Sequence, residues 1–394
     1  MKVILDIEVY IDYFLVSFMD DKNKKFREFE LFDGQALDRQ AVIKIMNKYT
    51  TVSFNGLGYD LLMLTAALKG WSNSKLKALS DEIILSNKAS WMIGKERRLW
   101  ISDRWDHIDL INVAPGQANL KIYGGRLHSE RLQDLPIDPN ASISPSQRDN
   151  LRLYCRNDLL TTYDLLIDLD KQLKLRVDMS EIYGVDLRSK SDAQIAEAVL
   201  KTELESNGVT VKKNAVKAGT TFKYIKPDFI TFNTPILKQA LDDVLNAEFV
   251  ISDSGQVKLP SLLNKAIPFG NGKYKFGIGG LHSQEKKQAI VCGDDELLYE
   301  ADFSSFYPFI ILGEEFYPKH LGKGFLTTYE SIVNRRIHAK HSGDTVTANS
   351  LKITINGSFG KLGSKYSFLY SPDLLIQTTI TGQLSLLMLI EKMT

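Results

Sequence analysis

Four carboxylates and a tyrosine, spread over three distant segments, have the residue types and spacing for metal-dependent hydrolysis. Asp6 and Glu8 are two residues apart in a strand-like segment, so both point to one face of a sheet. Asp60 follows a glycine turn at a helix start, and Tyr154 and Asp158 share one helical face. Two cations about 4 Å apart could then activate water and stabilise a leaving oxygen, with Tyr154 orienting the water. Solvated carboxylates, a helix cap at Asp60 and an ordinary amphipathic helix are the alternative interpretations.

A second group of candidates suits the binding of nucleotide phosphates. Asp302 ends the strand-like segment 297–303 and precedes a turn and a helix, where a metal ion and backbone amides can meet a triphosphate. Two helical patterns follow. Arg336 and Lys340 lie on one side of the first, and Lys352, Asn356 and Phe359 lie on one side of the second. A capped strand end and solvated basic helix faces would explain the same residues without a ligand.

The first group resembles the three exonuclease motifs of proofreading DNA polymerases. The matching strings are Asp6-Ile7-Glu8, Asn55-(three residues)-Tyr59-Asp60 and Tyr154-(three residues)-Asp158. The resemblance implies a ribonuclease-H-like fold, with Asp6, Glu8, Asp60 and Asp158 as ligands of Mg²⁺ or Mn²⁺. It also implies that Asn55 and Tyr59 contact the substrate strand. Lys121 is a candidate for the accessory lysine of this family.

The second group resembles motifs A and B of family B DNA polymerases. Ala301–Pro308 is similar to motif A, which implies that Asp302 is a catalytic metal ligand, that Ser305 contacts phosphate and that Tyr307 excludes a ribose 2′-hydroxyl. Residues 352–360 are similar to motif B, with Lys352 on a phosphate and Asn356 and Phe359 against the base and sugar. Arg336 and Lys340 would grip the triphosphate from the other arm of the fingers. Gly357 and Phe359 depart from the serine and tyrosine that the family usually has, and we expect this to alter nucleotide packing.

Alternating strand and helix patterns predict an α/β class, in the sense of an α+β chain of several domains. A glycine cluster from Gly270 to Gly280 marks a junction, and residues 277–280 lie where the family has a Tyr-x-Gly-Gly linker. Strands are predicted at 3–5, 13–16, 26–29, 51–54 and 297–303, and helices at 36–48, 60–69, 144–174, 189–206, 325–340, 346–359 and 374–390. The expected domains are the exonuclease (1–175), a connecting segment with the start of the palm (176–285), the palm with motif A (286–322), the helical-hairpin fingers with motif B (323–362) and an incomplete palm (363–394).

The composition is that of a globular protein in a reducing compartment. The 394 residues include 44% hydrophobic and 25% charged residues, a formal charge of +1 and two cysteines. The apolar stretch 374–390 contains six Gln, Thr and Ser residues, which favours a buried helix over a membrane span. With an acidic residue at position six, no leader is predicted, so we expect a cytoplasmic protein, in the host cell if it is viral, without a membrane partner.

Taken together, the patterns predict the N-terminal portion of a phage-like family B DNA polymerase with 3′→5′ proofreading. Its expected partners are primer-template DNA, single-stranded DNA, dNTPs and two Mg²⁺ or Mn²⁺ ions at each active site. Polymerisation requires a second palm aspartate after motif B, and no such motif follows Gly360. The chain is therefore expected to be a truncated, split or remnant polymerase; if it is split, a second polypeptide carries the rest of the palm and the thumb. A stand-alone exonuclease and a noncatalytic DNA-binding subunit of a split polymerase are the alternatives.

Overall fold

A computed structural model describes residues 1–303 and 305–394, which form two compact units, Met1–Ser191 and Asp192–Thr394. The first unit extends beyond residue 175 because the segment after it is bonded into the same unit. Arg188 forms an ion pair with Asp106, and the Ser189 hydroxyl accepts a hydrogen bond from the Asp109 amide. The elements of the first unit are β1 (Lys2–Val9), β2 (Phe14–Asp20), β3 (Phe26–Leu31), α1 (Arg39–Lys48), β4 (Thr50–Ser53), α2 (Asp60–Leu68), α3 (Asn73–Leu85), α4 (Ser90–Arg97), β5 (His107–Asp109), α5 (Leu120–Arg126), α6 (Pro145–Asp168) and α7 (Asp170–Tyr183).

A five-stranded mixed sheet organises the first unit, in the order β3-β2-β1-β4-β5. β1 pairs antiparallel with β2 and parallel with β4, so Ile4 lies beside Met19 on one side and Val52 on the other. Alternate residues of β1 face different cores: Val3, Leu5, Ile7 and Val9 pack with α1 to α4, whereas Ile4 packs with α6. Because side chains alternate along a strand, Asp6 and Glu8 share the Ile4 face, on which α6 lies.

The second unit has two cores, one among helices and one beneath a small sheet. Its elements are α8 (Asp192–Ser206), β6 (Thr221–Phe222), α9 (Pro235–Asn246), β7 (Phe249–Val250), a 3₁₀ turn (Ser261–Leu263), β8 (Ala266–Phe269), β9 (Gly272–Phe276), β10 (Leu281–Ser283), α10 (Phe306–Gly313), α11 (Gly324–Ser342), α12 (Thr345–Lys361) and α13 (Pro372–Met393). Only Gly343 and Asp344 join α11 to α12. Gly343 takes the left-handed conformation at φ +77°, and the Asp344 carboxylate accepts the Thr347 amide. The helices predicted on both sides of this turn are confirmed.

Two sequence predictions of secondary structure are wrong. Residues 297–303 form no strand, and their apolar side chains, such as Leu297 and Tyr299, are exposed. A strand needs a neighbour for its backbone hydrogen bonds, and no described segment pairs with this one. The helix predicted from 144 to 174 is divided at the fully buried Leu169, where α6 ends and α7 begins.

Within the described residues, α13 is the one helix that is long and apolar enough to cross a membrane, but more than half of that apolar stretch is buried in the protein. Its polar side chains bond to neighbouring backbone. The Gln383 side chain accepts from the Gly277 amide at 3.0 Å and donates to the Gly277 carbonyl at 2.9 Å. Gln377 holds the amide and carbonyl of Ile225 in the same way. Backbone groups of the protein therefore satisfy the hydrogen-bonding groups of both glutamines.

Candidate functional sites

In the first unit, β1 and α6 bring Asp6, Glu8 and Cys155 together. Their ligand atoms all lie within 4.8 Å of one another, and the Cys155 thiol donates a hydrogen bond to the Asp6 carboxylate at 3.3 Å. The start of α6 is held by the Gln147 side chain, which accepts the Ser144 amide at 2.9 Å. No spacing pattern in the sequence indicated a role for Cys155. It meets this cluster only because α6 packs on β1.

The turn before α2 presents the second motif. Asn55 has φ +67°, and its amide and that of Leu57 both donate to the buried Asp109 carboxylate, at 2.8 and 2.9 Å. A Cβ on Gly58 would lie 2.2 Å from the Asn55 side-chain oxygen, so a side chain at position 58 would displace the Asn55 amide group. Sequence analysis assigned no role to Asp109, although a carboxylate at the end of β5, beside the end of β4, is a signal that could have been used.

The predicted site residues after this turn are buried or form hydrogen bonds with neighbouring side chains. The Tyr59 hydroxyl is 2.7 Å from the Ser80 hydroxyl, which leaves the ring as the part of Tyr59 available for another contact. Asp60 begins α2 and is 4% exposed. On α6, the Tyr154 hydroxyl donates to the Asp158 carboxylate. Burial and the nearby negative charges raise the pKa of Tyr154, so its proton is retained.

Burial and mutual repulsion make these carboxylates hard to ionise without a cation. Burial and, second, the Asp158 charge raise the pKa of Asp6 to about 7. Burial also raises the pKa of Asp158 to about 6, against the opposing effects of Tyr154 and Lys121. The pKa values of Glu8 and Asp60 are raised well above the usual range, first by burial and then by the Asp6 charge.

The donor set fits a divalent cation, because a buried group of oxygen donors with raised pKa values is relieved by positive charge. Mg²⁺ and Mn²⁺ prefer carboxylate oxygen, whereas the Cys155 sulfur is a soft donor that suits neither ion. Lys121 is close enough to lower the pKa of Glu8 through its charge. Its ammonium group forms an ion pair with the exposed Asp134 at 3.0 Å.

In the second unit, a pocket of about 490 Å³ lies between the start of α10 and the α11–α12 hairpin. Three cations, Arg336, Lys340 and Lys352, line the pocket, and Asp302 is the one acidic residue among the described residues that line it. Ser305, Tyr307 and Asn356 also line the pocket, whereas Phe359, the remaining member of the predicted set, is not among the lining residues. This excess of positive charge suits a polyanion, and a single carboxylate offers few oxygen ligands for a pair of metal ions.

Hydrogen bonds and ring stacking connect the side chains in and around this pocket. Ser305, at φ +56°, accepts a hydrogen bond from the Arg336 guanidinium group. The Tyr307 ring stacks on Phe359 with centroids 4.4 Å apart, and its hydroxyl donates to the Gly279 carbonyl at 2.6 Å. The predicted motif A and motif B residues therefore meet, and the glycine-rich segment before β10 contacts Tyr307.

Gly357 has a packing role that the sequence comparison with the family motif did not suggest. A Cβ there would lie 2.6 Å from the Ala196 Cβ and 3.0 Å from the Asp192 carbonyl, so Gly357 allows α12 and α8 to approach closely. A side chain at position 357 would point at α8, and Gly357 is not among the residues that line the pocket; its effect on nucleotide packing stays a prediction.

No protein-family model matches the chain, and no curated protein matches it. Among solved structures, the chain is similar to the family B DNA polymerase from the hyperthermophilic archaeon Pyrobaculum calidifontis, at 13% sequence identity and a TM-score of 0.48. The match covers 100% of this chain and 51% of that polymerase, so the chain spans about half of its length.

Proposed function

We propose that the first unit is a metal-dependent 3′→5′ exonuclease and that the second is the nucleotide-binding part of a family B DNA polymerase. One observation carries the proposal. Three segments more than 40 residues apart bring Asp6, Asp60 and Asp158 close enough to Glu8 for their charges to raise its pKa, with a tyrosine bonded to Asp158. A stable fold gains nothing from like charges that are buried together, so the cluster is best explained by a bound cation.

In this proposal, the four carboxylates would hold two Mg²⁺ or Mn²⁺ ions, which would supply Lewis-acid chemistry for phosphodiester hydrolysis. Tyr154 keeps its proton at neutral pH and orients the attacking water through its hydroxyl group. Asn55 and the ring of Tyr59 contact the 3′-terminal nucleotides. The mixed five-stranded sheet is compatible with the ribonuclease-H-like fold that the motifs imply.

The pocket of the second unit would bind an incoming dNTP. Arg336, Lys340 and Lys352 supply positive charge for the triphosphate. The Tyr307 ring is the steric gate against a ribose 2′-hydroxyl, and Phe359 packs against the sugar and base once it separates from Tyr307. Asp302 would contribute one metal ligand.

A second polypeptide is proposed to complete the polymerase site on the primer-template. The exposed apolar side chains of residues 297–303 support this, because a strand pattern without a neighbouring strand can pair with one supplied by another chain. That partner would provide the second carboxylate that the described lining of the pocket does not include.

The nuclease is tested with a 5′-labelled single-stranded oligonucleotide and Mg²⁺ or Mn²⁺. We expect products that shorten from the 3′ end, and we expect Asp158→Ala to lose at least 10²-fold in rate, as a metal ligand should. Asp168→Ala, an exposed carboxylate on the same helix, is the matched control and should retain activity. DNA that stays intact with the wild-type protein would refute the nuclease and favour a noncatalytic DNA-binding subunit.

Nucleotide binding is tested separately by titrating dATP into the protein in a calorimeter. Lys352→Ala should weaken binding about 10-fold or more, since it removes a charge-assisted phosphate contact. Lys323→Ala, an exposed lysine outside the pocket, should not. Nuclease activity without dATP binding would favour a stand-alone exonuclease.

A further inference from the structure

Helix α4 and the residues after it expose aromatic side chains that the proposed active sites do not use. Trp91 is 69% exposed and Trp100 is 64% exposed, and these are two of the four tryptophans of the chain. Lys95 lies one turn after Trp91 on the same face of α4, and Arg98 ends the helix. Tryptophan is usually well buried, so two exposed indoles beside two cations form a distinct surface, here called the α4 surface.

The charge of this region is strongly positive in a nearly neutral protein. Residues 84–105 contain five basic and two acidic side chains, whereas the whole chain has a net charge of +1. Lys88 and Arg97 are neutralised by ion pairs, but Lys95 and Arg98 have no acidic partner among the described residues. The Lys69 ammonium group donates to the Arg98 carbonyl at 2.7 Å, so a third cation lies at the end of α4.

The α4 surface is anchored to the elements that carry the carboxylate cluster. A Cβ on Gly94 would lie 3.1 Å from Leu62 of α2, the helix that begins with Asp60, so α4 packs closely on α2. The Ser90 hydroxyl donates to the Leu57 carbonyl at 3.0 Å, which joins the start of α4 to the turn that presents Asn55. A DNA strand bound on α4 would therefore lie beside the turn that presents Asn55 and leads to Asp60 of the carboxylate cluster.

We propose that Trp91, Lys95, Arg98 and Trp100 bind single-stranded DNA upstream of the 3′ end that enters the carboxylate cluster. The indoles stack on bases without sequence preference, and the cations contact the backbone phosphates. Cations without an acidic partner complement backbone phosphates, and the exposed indoles offer stacking surfaces for unpaired bases, so we assign single-stranded DNA as the occupant. The proposal deepens the proposed exonuclease and takes its substrate class from it.

The test measures binding alone, with the full chain, a fluorescently labelled oligothymidylate and excess EDTA, so that no cleavage occurs. By fluorescence anisotropy, Trp91→Ala and Trp100→Ala should each weaken binding about 10-fold, and Trp91→Phe should restore most of the loss. The double variant Lys95→Ala/Arg98→Ala should reduce the slope of log K against log salt by about 1.4, at about 0.7 per phosphate contact. Lys171→Ala/Lys174→Ala, two exposed lysines on α7, is the matched control and should leave the affinity within twofold.

Unchanged affinity and unchanged salt slope in the α4 variants would overturn the proposal even if the nuclease is active. If Trp91→Ala instead changes the sedimentation of the protein and not its DNA affinity, the α4 surface is a protein interface and the proposal fails. Conversely, loss of binding in the α4 variants of a protein that never cleaves DNA would support this surface and refute only the exonuclease. Circular dichroism of each variant checks that the fold is intact.

Discussion

Replacing Asp158 with asparagine should stabilise the metal-free protein while it abolishes the proposed nuclease activity. The pKa of Asp158 rises from 3.8 to about 6, chiefly because the carboxylate is buried. The folded state therefore holds this proton to a higher pH than the unfolded state, and stability falls as the pH rises from about 4 to 6. A shift of roughly two units corresponds to about 3 kcal/mol, which is fully lost at pH 8.

Asparagine removes this cost and also removes the charge that raises the pKa values of Asp6 and Glu8. Part of the gain is offset, because the Tyr154 hydroxyl then bonds to a neutral amide in place of a carboxylate. We expect Asp158→Asn to raise the free energy of unfolding by about 1–2 kcal/mol at pH 8 in EDTA. At pH 5, about midway through the range in which this stability is lost, the gain from Asp158→Asn should be smaller by about 1.4 kcal/mol than at pH 8.

The assay is urea unfolding followed by tryptophan fluorescence, which reports the first unit alone because all four tryptophans lie within residues 71–105. Asp168→Asn, on the exposed end of the same helix, should show no pH-dependent gain. Added Mn²⁺ should stabilise the wild type and have less effect on Asp158→Asn. A loss of stability at pH 8, or an equal gain at both pH values, would refute the electrostatic reasoning.

Three further changes separate chemistry, positioning and packing. Tyr154→Phe, which removes the hydroxyl bonded to Asp158, should slow cleavage about 10²-fold with unchanged DNA affinity in EDTA, and an equal loss of affinity would contradict its proposed role. Asp109→Asn should raise KM for DNA more than it lowers kcat, since it loosens the turn of residues 55–57 held by this carboxylate; steady-state kinetics would show the split. Gly357→Ala should lower stability by about 1–3 kcal/mol in thermal melts, whereas Gly360→Ala on the same helix, with open space around it, should not.

Local patterns were enough for the elements that carry the first site. Alternation placed Asp6 and Glu8 on one face of β1, and the helical period placed Tyr154 and Asp158 on one face of α6. The same kind of reasoning failed for residues 297–303. Their residue types favour a strand locally, but a strand also needs a neighbouring strand for its hydrogen bonds, and no described segment pairs with these residues.

Residues whose role comes from a long-range contact were beyond local patterns. Cys155 is one of many apolar positions on α6 until the helix packs on β1 and its thiol meets Asp6. Gly357 was compared with a family motif, yet its environment is set by α8, more than 150 residues earlier in the chain. In both cases the deciding neighbour is distant in sequence.

The sequence by itself determined which side chains could bind metal or phosphate and which face of each strand or helix they occupy. These properties depend on periods of two and 3.6 residues and on chemical type, which are local. Only the tertiary structure decided that Glu8 lies close enough to Asp6, Asp60 and Asp158 for their charges to raise its pKa, and that Asp302 and Lys352 line one pocket. Burial and the distances between charges are properties of the packed chain, and they set the pKa values on which the chemistry depends.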